Sequence, residues 1–432
     1  MNARISLIAL AIGCTLLVVL LAAKVGIQPF ALDVRFVSSW SQSAALFFVE
    51  SITADTIKRD YSGTAVTDPV TGVERPGTAG KLRILIVPGH RPDFGGAEFG
   101  GVYERDVVVD IADALAELLR QNPHDEVMVA RSKAAWDPTL QSYFDTHAAD
   151  IEAFEVSQAA QMAAHLSDGS FLPEADQISH LTASSEAALQ LYGINKWASE
   201  QHYDITIHLH INDYAGRRGR NTKYDGFAVY VPEHQYSNAK ASQVLGTAIA
   251  ARLNAYHATS TLPKESAGVV EDQELIAVGS NNSADNAALL IEYGYIYEPQ
   301  FQNASILPLA ERDYAYQTYL GLQDFLGDPV TLMYGSASLP YDWSQVTAVR
   351  GERGPGVYAL QAALHYLGYY PTAEDSFSDC PVSGKVGPCT RAAIEAYQRA
   401  HGLEATGTLG PQTRAALTSD LATLGNVSLM LR

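Results

Sequence analysis

From Leu82 the chain reads L-R-I-L-I-V, an apolar run of strand length, followed by a loop containing Gly and Pro. The next stretch, E-R-D-V-V-V-D-I-A-D-A-L-A-E-L-L-R, places Val107, Ile111, Leu115 and Leu118 at helical spacing, which predicts a helix with Glu104 at or just before its N-terminus. A second strand, E-V-M-V-A-R, ends at Arg131, and a mainly helical segment is predicted from about 136 to 200. Strands at 204–211 and 226–231, a helix over 237–256, an apolar strand over 287–293 and a helix over 310–326 complete the unit. Strands alternating with helices imply an α/β fold, a mostly parallel sheet with helices on both faces.

Residues 328–343 read as a linker into a second, smaller unit at 344–420. That unit holds an internal repeat, G-K-V-G-P-C-T-R-A-A-I from Gly384 and G-T-L-G-P-Q-T-R-A-A-L from Gly407. Each Gly-Pro should put proline in the first turn of a helix, where its missing N–H is harmless. With a further stripe at Val357, Leu360, Leu364 and Leu367, the unit is predicted to be a small three-helix bundle.

At the other end, residues 5–23 form an apolar run behind Arg4, long enough to cross a bilayer. An uncleaved membrane anchor within 1–24 is the expectation, with cleavage after Leu21-Ala22-Ala23 as the alternative. Cys14 inside this run reads as a membrane-buried thiol rather than an acylation site, because the apolar run continues past it. Residues 25–80, rich in Gly, Pro and Thr toward their end, read as a tether, leaving 81–327 as the main unit.

At 432 residues the chain has room for two or three units, and its formal net charge of −19 provides no basic footprint for nucleic acid. Cys380 and Cys389 lie close in sequence, and export to an oxidising compartment makes a local disulfide the natural expectation, with two free thiols as the alternative.

Candidate chemistry sits in four separated pieces: I-V-P-G-H ending at His90, Y-E-R-D with Glu104, H-L-H-I-N-D with His208 and His210, and L-I-E-Y-G with Glu292. His208 and His210, two apart on a strand, share a face of the sheet. His90 follows a strand and Glu104 opens a helix, so both lie at the carboxyl edge of the sheet, where open α/β folds gather ligands. Two imidazoles and a carboxylate, with a second carboxylate held back, form the donor set of a hydrolytic zinc centre that keeps one position open. Taken singly each piece has an ordinary explanation: a loop histidine, an acid favoured in a first helical turn, or for Glu292 a structural ion pair. A carboxylate in the apolar run A-A-L-L-I-E-Y-G is nevertheless costly to bury without a task.

In order, these motifs resemble the zinc-dependent N-acetylmuramoyl-L-alanine amidases of the third amidase family. The family's D-P-G-H-G-G appears as V-P-G-H-R-P, its E-K-D as Glu104-Arg105-Asp106, its S-I-H-A-N as His208-Leu209-His210-Ile211-Asn212, and its V-E-x-G-F as Ile291-Glu292-Tyr293-Gly294-Tyr295. The resemblance covers about 82–326. It implies that His90, Glu104 and His210 bind Zn2+, that Glu292 is the catalytic carboxylate, and that the bond cleaved joins muramic acid to L-alanine. The C-terminal unit resembles helical peptidoglycan-binding domains through Leu360-Gln361, Leu367-Gly368-Tyr369-Tyr370, the two G-P-x-T-R-A-A copies and Ala396-Tyr397-Gln398. Peptidoglycan is therefore the expected partner of both units, in the cell envelope on the extracytoplasmic side.

The chain departs from the pattern where Val87 replaces an acid, Arg91-Pro92 replace Gly-Gly, and His208 stands where the family has Ser. His208 is expected either to hydrogen-bond the tetrahedral intermediate or to pack beside the site, and Asn212 and Arg91 to support the metal or the substrate. The segment 135–200, long for the family, can be read as a lid or plug answering to a regulatory protein, or as a passive surface insertion. Two other functions stay open at this stage: a different zinc amidohydrolase or peptidase acting on wall fragments, and an inactive wall-binding protein.

Overall fold

The structure, a computed structural model, describes residue 57 and residues 81–422 apart from 175–182, 215, 218, 220, 280–281, 284–285, 328–341 and 377–378. The expected anchor and most of the expected tether and linker lie outside the described residues. Within the tether range Ile57 is buried in the main core. No helix among the described residues is long and apolar enough to cross a membrane.

The main unit begins with β1 (Leu82–Pro88), a small hairpin of β2 (Glu98–Phe99) and β3 (Val102–Tyr103), helix α1 (Glu104–Leu119) and β4 (Asp125–Val129). The long helical segment divides into α2 (Pro138–Thr146), α3 (Ala148–Asp168) and α4 (Ser185–Glu200). Asp137 starts α2 by accepting from Thr139 N–H, and Ser184 caps α4 through Ala187 N–H. Strands β5 (Ile205–Asn212) and β6 (Ala228–Pro232), helix α5 (Ala239–Leu253), strands β7 (Val269–Asp272) and β8 (Ala287–Tyr295), and helix α6 (Leu307–Leu326) follow.

The six-stranded sheet has the order β4-β1-β5-β8-β6-β7. The pairs β4-β1, β1-β5, β5-β8 and β6-β7 are parallel, whereas β6 runs antiparallel to β8. The sheet is mostly parallel, as the alternation predicts, with one reversal. Alternate residues face opposite layers. Ile84, Ile86, Ile205, Ile207, Leu209, Leu289 and Ile291 join a core with α1, α5 and α6. Leu85 and Val87 join a separate core with Leu140, Ile151, Tyr192, Ile194 and Trp197 of α2, α3 and α4. Burial on both faces is why β1 and β8 read as nearly continuous apolar runs.

The segment 135–200 is therefore not one thing. Helix α4 supplies core side chains beneath the sheet, whereas α3 buries only Ile151.

The C-terminal unit opens on a short 3-10 turn, Trp343–Gln345, with Trp343 buried in its core, and comprises α7 (Pro355–Tyr366), α8 (Pro388–Ala400) and α9 (Pro411–Asp420). Each helix has proline at its first turn. The sequence repeat is also a repeat of buried hydrogen bonds. Gln361 accepts from Gly384 N–H at 2.8 Å and donates to Thr390 Oγ1 at 2.9 Å; Gln398 accepts from Gly407 N–H at 3.0 Å and donates to Thr413 Oγ1 at 2.9 Å. Cys380 and Cys389 are disulfide-bonded, with Cα atoms 5.8 Å apart.

The two units share packing. Tyr358 of α7 is buried in the core of the main unit, and Tyr256, just after α5, stacks on Tyr366 with ring centroids 5.4 Å apart and belongs to the bundle's core.

Candidate metal centre

His90, Glu104 and His210 meet at the carboxyl end of β1 and β5, their candidate ligand atoms all within 4.8 Å of one another. Glu104 is the hub. Its Oε1 lies 2.9 Å from His90 Nε2 and 3.0 Å from His210 Nδ1 and accepts Ile211 N–H at 3.1 Å, while its Oε2 accepts Ala97 N–H at 2.6 Å. Burial alone would raise the pKa of this carboxyl, but His90 and His210 outweigh it and hold Glu104 far below the usual carboxylate range. Burial lowers the His210 imidazole, with Glu104 opposing. The rings of His90 and His210 stand edge to face, 5.0 Å between centroids. The His90 side chain is 31% exposed against 3% for Glu104, so the group opens to solvent on the His90 side.

Backbone geometry delivers these groups. His90 sits at φ 64°, a left-handed conformation uncommon outside glycine and a form of local strain found at functional sites. A Cβ on Gly89 would lie 2.6 Å from His210 Nε2, and one on Gly96, at φ 89°, 3.1 Å from Glu104 Oε2. Both positions need glycine for the His210 and Glu104 side chains to fit.

The sheet register sets Glu292 of β8 directly beside His210 of β5, on the same face. Its residue is partly exposed, but Oε2 is sealed and has no hydrogen-bond partner among the described residues. Burial, then the carboxylates of Glu104 and Glu265, raise the Glu292 carboxyl well above its ordinary range. A carboxyl tuned in this direction suits proton transfer near neutrality.

The other candidate residues fall into different roles. His208 is buried completely, between Val87 of β1 and Leu290 of β8, so it does not line the open cleft. Neither of its nitrogens has a hydrogen-bond partner among the described residues, and burial, aided by His210, lowers it to about 3, leaving a neutral ring. Asn212 is not part of the three-residue cluster and donates to Glu265 Oε1 at 3.0 Å. Arg91 forms ion pairs with Asp93 (3.1 Å) and with Glu186 of α4, tying the loop after His90 to the long insertion.

Two supporting residues escape a reading of the sequence. Arg131, buried just past β4, donates to Pro88 O at 3.1 Å, to Gly89 O and to Arg105 O at 3.0 Å. It thus braces both the turn before His90 and the start of α1 that carries Glu104. Burial lowers it to about 10, opposed by Glu104 and Asp106, so it remains a cation. Glu265, 1% exposed in the segment before β7, accepts from Asn212, from Tyr230 OH at 2.6 Å, from Ser260 Oγ and from Tyr295 OH at 2.9 Å. An arginine closing a strand and a glutamate in L-P-K-E-S carry no periodicity or motif that would single them out.

The donor set of two imidazoles and one carboxylate fits a divalent ion of borderline softness, zinc foremost. The convergence of two ring nitrogens on one carboxylate oxygen is consistent with that fit.

Comparison with known proteins agrees with this chemistry. A family model described as N-acetylmuramoyl-L-alanine amidase matches residues 84–323, and one of a peptidoglycan binding domain matches residues 353–417. No curated protein matches the chain. Among solved structures, the CwlD amidase from Clostridioides difficile, in complex with the GerS lipoprotein, is 14% identical with TM-score 0.38, covering 57% of this chain and 99% of its own. The amidase Ami1 from Mycobacterium smegmatis is 13% identical with TM-score 0.38, covering 57% and 97%, and AmiC2 of Nostoc punctiforme is 15% identical with TM-score 0.34, also covering 57% and 97%. Likeness at that level adds nothing to the family match.

Proposed function

The chain belongs to the N-acetylmuramoyl-L-alanine amidase family, and from that membership we propose a zinc-dependent mechanism in which His90, Glu104 and His210 hold the ion and Glu292 moves the proton. The activity is hydrolysis of the amide between N-acetylmuramic acid and L-alanine in peptidoglycan, and the C-terminal unit binds the same polymer. That substrate places the enzyme outside the cytoplasm.

Zinc, when bound, would acidify a water and polarise the scissile carbonyl. Glu292 takes the proton from the attacking water and returns it to the nitrogen of the leaving L-alanine. Glu104, kept ionised by the imidazoles around it, supplies the negative charge of the ligand set. Arg131 keeps the His90 turn and the head of α1 in register. The observation that supports this reading best is the pairing of His210 with Glu292 across β5 and β8, which sets a carboxylate with one unmatched oxygen beside a candidate ligand.

Three further parts belong to the same proposal. The domains are taken as 81–327 for catalysis and 344–420 for wall binding. The apolar residues 5–23 act as a membrane anchor, supported by their length and lack of charge. The insertion, linked to the metal-side loop through Arg91 and Glu186, is where a regulatory protein would act.

The deciding experiment incubates the full chain with purified peptidoglycan, with and without a chelator, and scores new L-alanine amino termini by mass spectrometry. Stem peptides beginning with L-alanine that vanish with chelator support the mechanism. Such products persisting in chelator would rule out the metal.

A further inference from the structure

His208 lies two residues before a candidate ligand, yet it is fully buried and both of its nitrogens are unmet among the described residues. A leucine there would spare the fold that desolvation cost, so packing alone does not account for an imidazole. Its burial also removes it from direct contact with a substrate in the cleft.

The sheet register supplies another partner. His208 pairs with Leu290 and His210 with Glu292, so His208 and Glu292 are diagonal neighbours on one face of adjacent parallel strands. Strand spacing and a two-residue rise put their Cα atoms about 8 Å apart. Their side chains make no direct hydrogen bond, and the sealed Oε2 of Glu292 is itself unmet. An imidazole N–H and a carboxylate oxygen are complementary, and a buried water is stable where several polar groups surround it. Thr206 Oγ1, one step further along the same face of β5, is also buried and unmet. The stranded groups therefore form a file beneath the site rather than a single defect.

We propose that a buried water links His208 to Glu292 Oε2, making His208 a positioning residue that orients the carboxylate while its other oxygen serves the cleft. The ring N–H donates to the water, and the water donates to Oε2. This rests on the assignment of Glu292 as the proton-transfer group.

The test compares His208→Leu, His208→Gln and Glu292→Gln in the full chain, measuring kcat and KM on purified peptidoglycan, bound zinc by elemental analysis, and Tm. For His208→Leu the expected result is a kcat lowered about 10- to 100-fold, with KM and bound zinc unchanged and Tm equal or higher; His208→Gln recovers most of the rate. Full kcat in His208→Leu, an equal loss in both His208 variants, or loss of zinc in His208→Leu would each overturn the role. An active Glu292→Gln would instead overturn the assignment of Glu292, and the His208 role with it, whereas an inactive Glu292→Gln beside a fully active His208→Leu refutes the His208 role alone.

Discussion

Arg131 holds the carbonyl oxygen of Pro88 at 3.1 Å through Nε, deep beneath the turn that presents His90. The same guanidinium reaches Gly89 O and Arg105 O, so one side chain satisfies backbone from two elements that bring candidate ligands together. Arg131→Leu should cost about 3 kcal/mol or more, because buried carbonyls lose their donor, and should weaken zinc binding by roughly 10- to 100-fold. Arg131→Lys, a point charge without the fork, should fall between. Thermal unfolding with and without zinc checks both. Wild-type zinc affinity in Arg131→Leu would show that the turn does not depend on this brace.

The candidate metal ligands and the proposed proton-transfer group should separate by assay. Glu292→Gln is expected to keep bound zinc and lose turnover by about 100-fold or more, whereas His90→Ala and His210→Ala should lose both. Elemental analysis beside the mass-spectrometric assay distinguishes them. Stoichiometric zinc in His210→Ala would remove it from the ligand set.

Much of this centre was readable from the chain because the relevant residues terminate strongly patterned elements. His90 follows the apolar run of β1, Glu104 heads the helix whose Val107, Ile111 and Leu115 recur at helical spacing, and Glu292 interrupts the apolar run of β8. The reversal of β6 was not readable, since a short buried strand such as A-V-Y-V-P has the same composition in either direction. Nor was the fate of His208 and Asn212. Strand parity put His208 on the face of His210, but only the packed structure sealed it away from the cleft and gave Asn212 to Glu265. Arg131 and Glu265 act through backbone carbonyls and hydroxyls contributed by remote segments, and no local pattern records such partners.

Asp125, at the start of β4, is 8% exposed, with neither carboxylate oxygen partnered among the described residues, and burial lifts it to about 7. For an acid raised on folding, the unfolded chain ionises first. The penalty is absent below about pH 4, grows as pH rises toward 7, and stays constant above that. Asp125→Asn should therefore stabilise the protein by roughly 2–4 kcal/mol at pH 8 and hardly at all at pH 4. Unfolding curves at the two pH values decide it, and a gain that is the same at both would exclude ionisation as the cause.

The Cys380–Cys389 bridge closes a short loop ahead of α8. Replacing both cysteines with serine should cost about 2.5 kcal/mol through the freed loop and weaken retention on peptidoglycan more than turnover on soluble fragments. Thermal unfolding and a sedimentation assay with insoluble wall measure these. Unchanged stability would mean that the bundle holds that loop without the bridge.

Tyr358 is carried by the wall-binding bundle yet lies in the catalytic core, and Tyr256 is carried by the catalytic unit yet lies in the bundle's core. Wall-binding modules are commonly treated as portable cassettes, to be cut at a linker and spliced onto another enzyme. Here parting the two pieces after a cut within 328–341 would bare Tyr358 on one and Tyr256 on the other to water, and would break the stack of Tyr256 on Tyr366. The targeting part and the cutting part have in effect grown together, and an engineer who wants one must keep, or rebuild, the side of the other that it leans on.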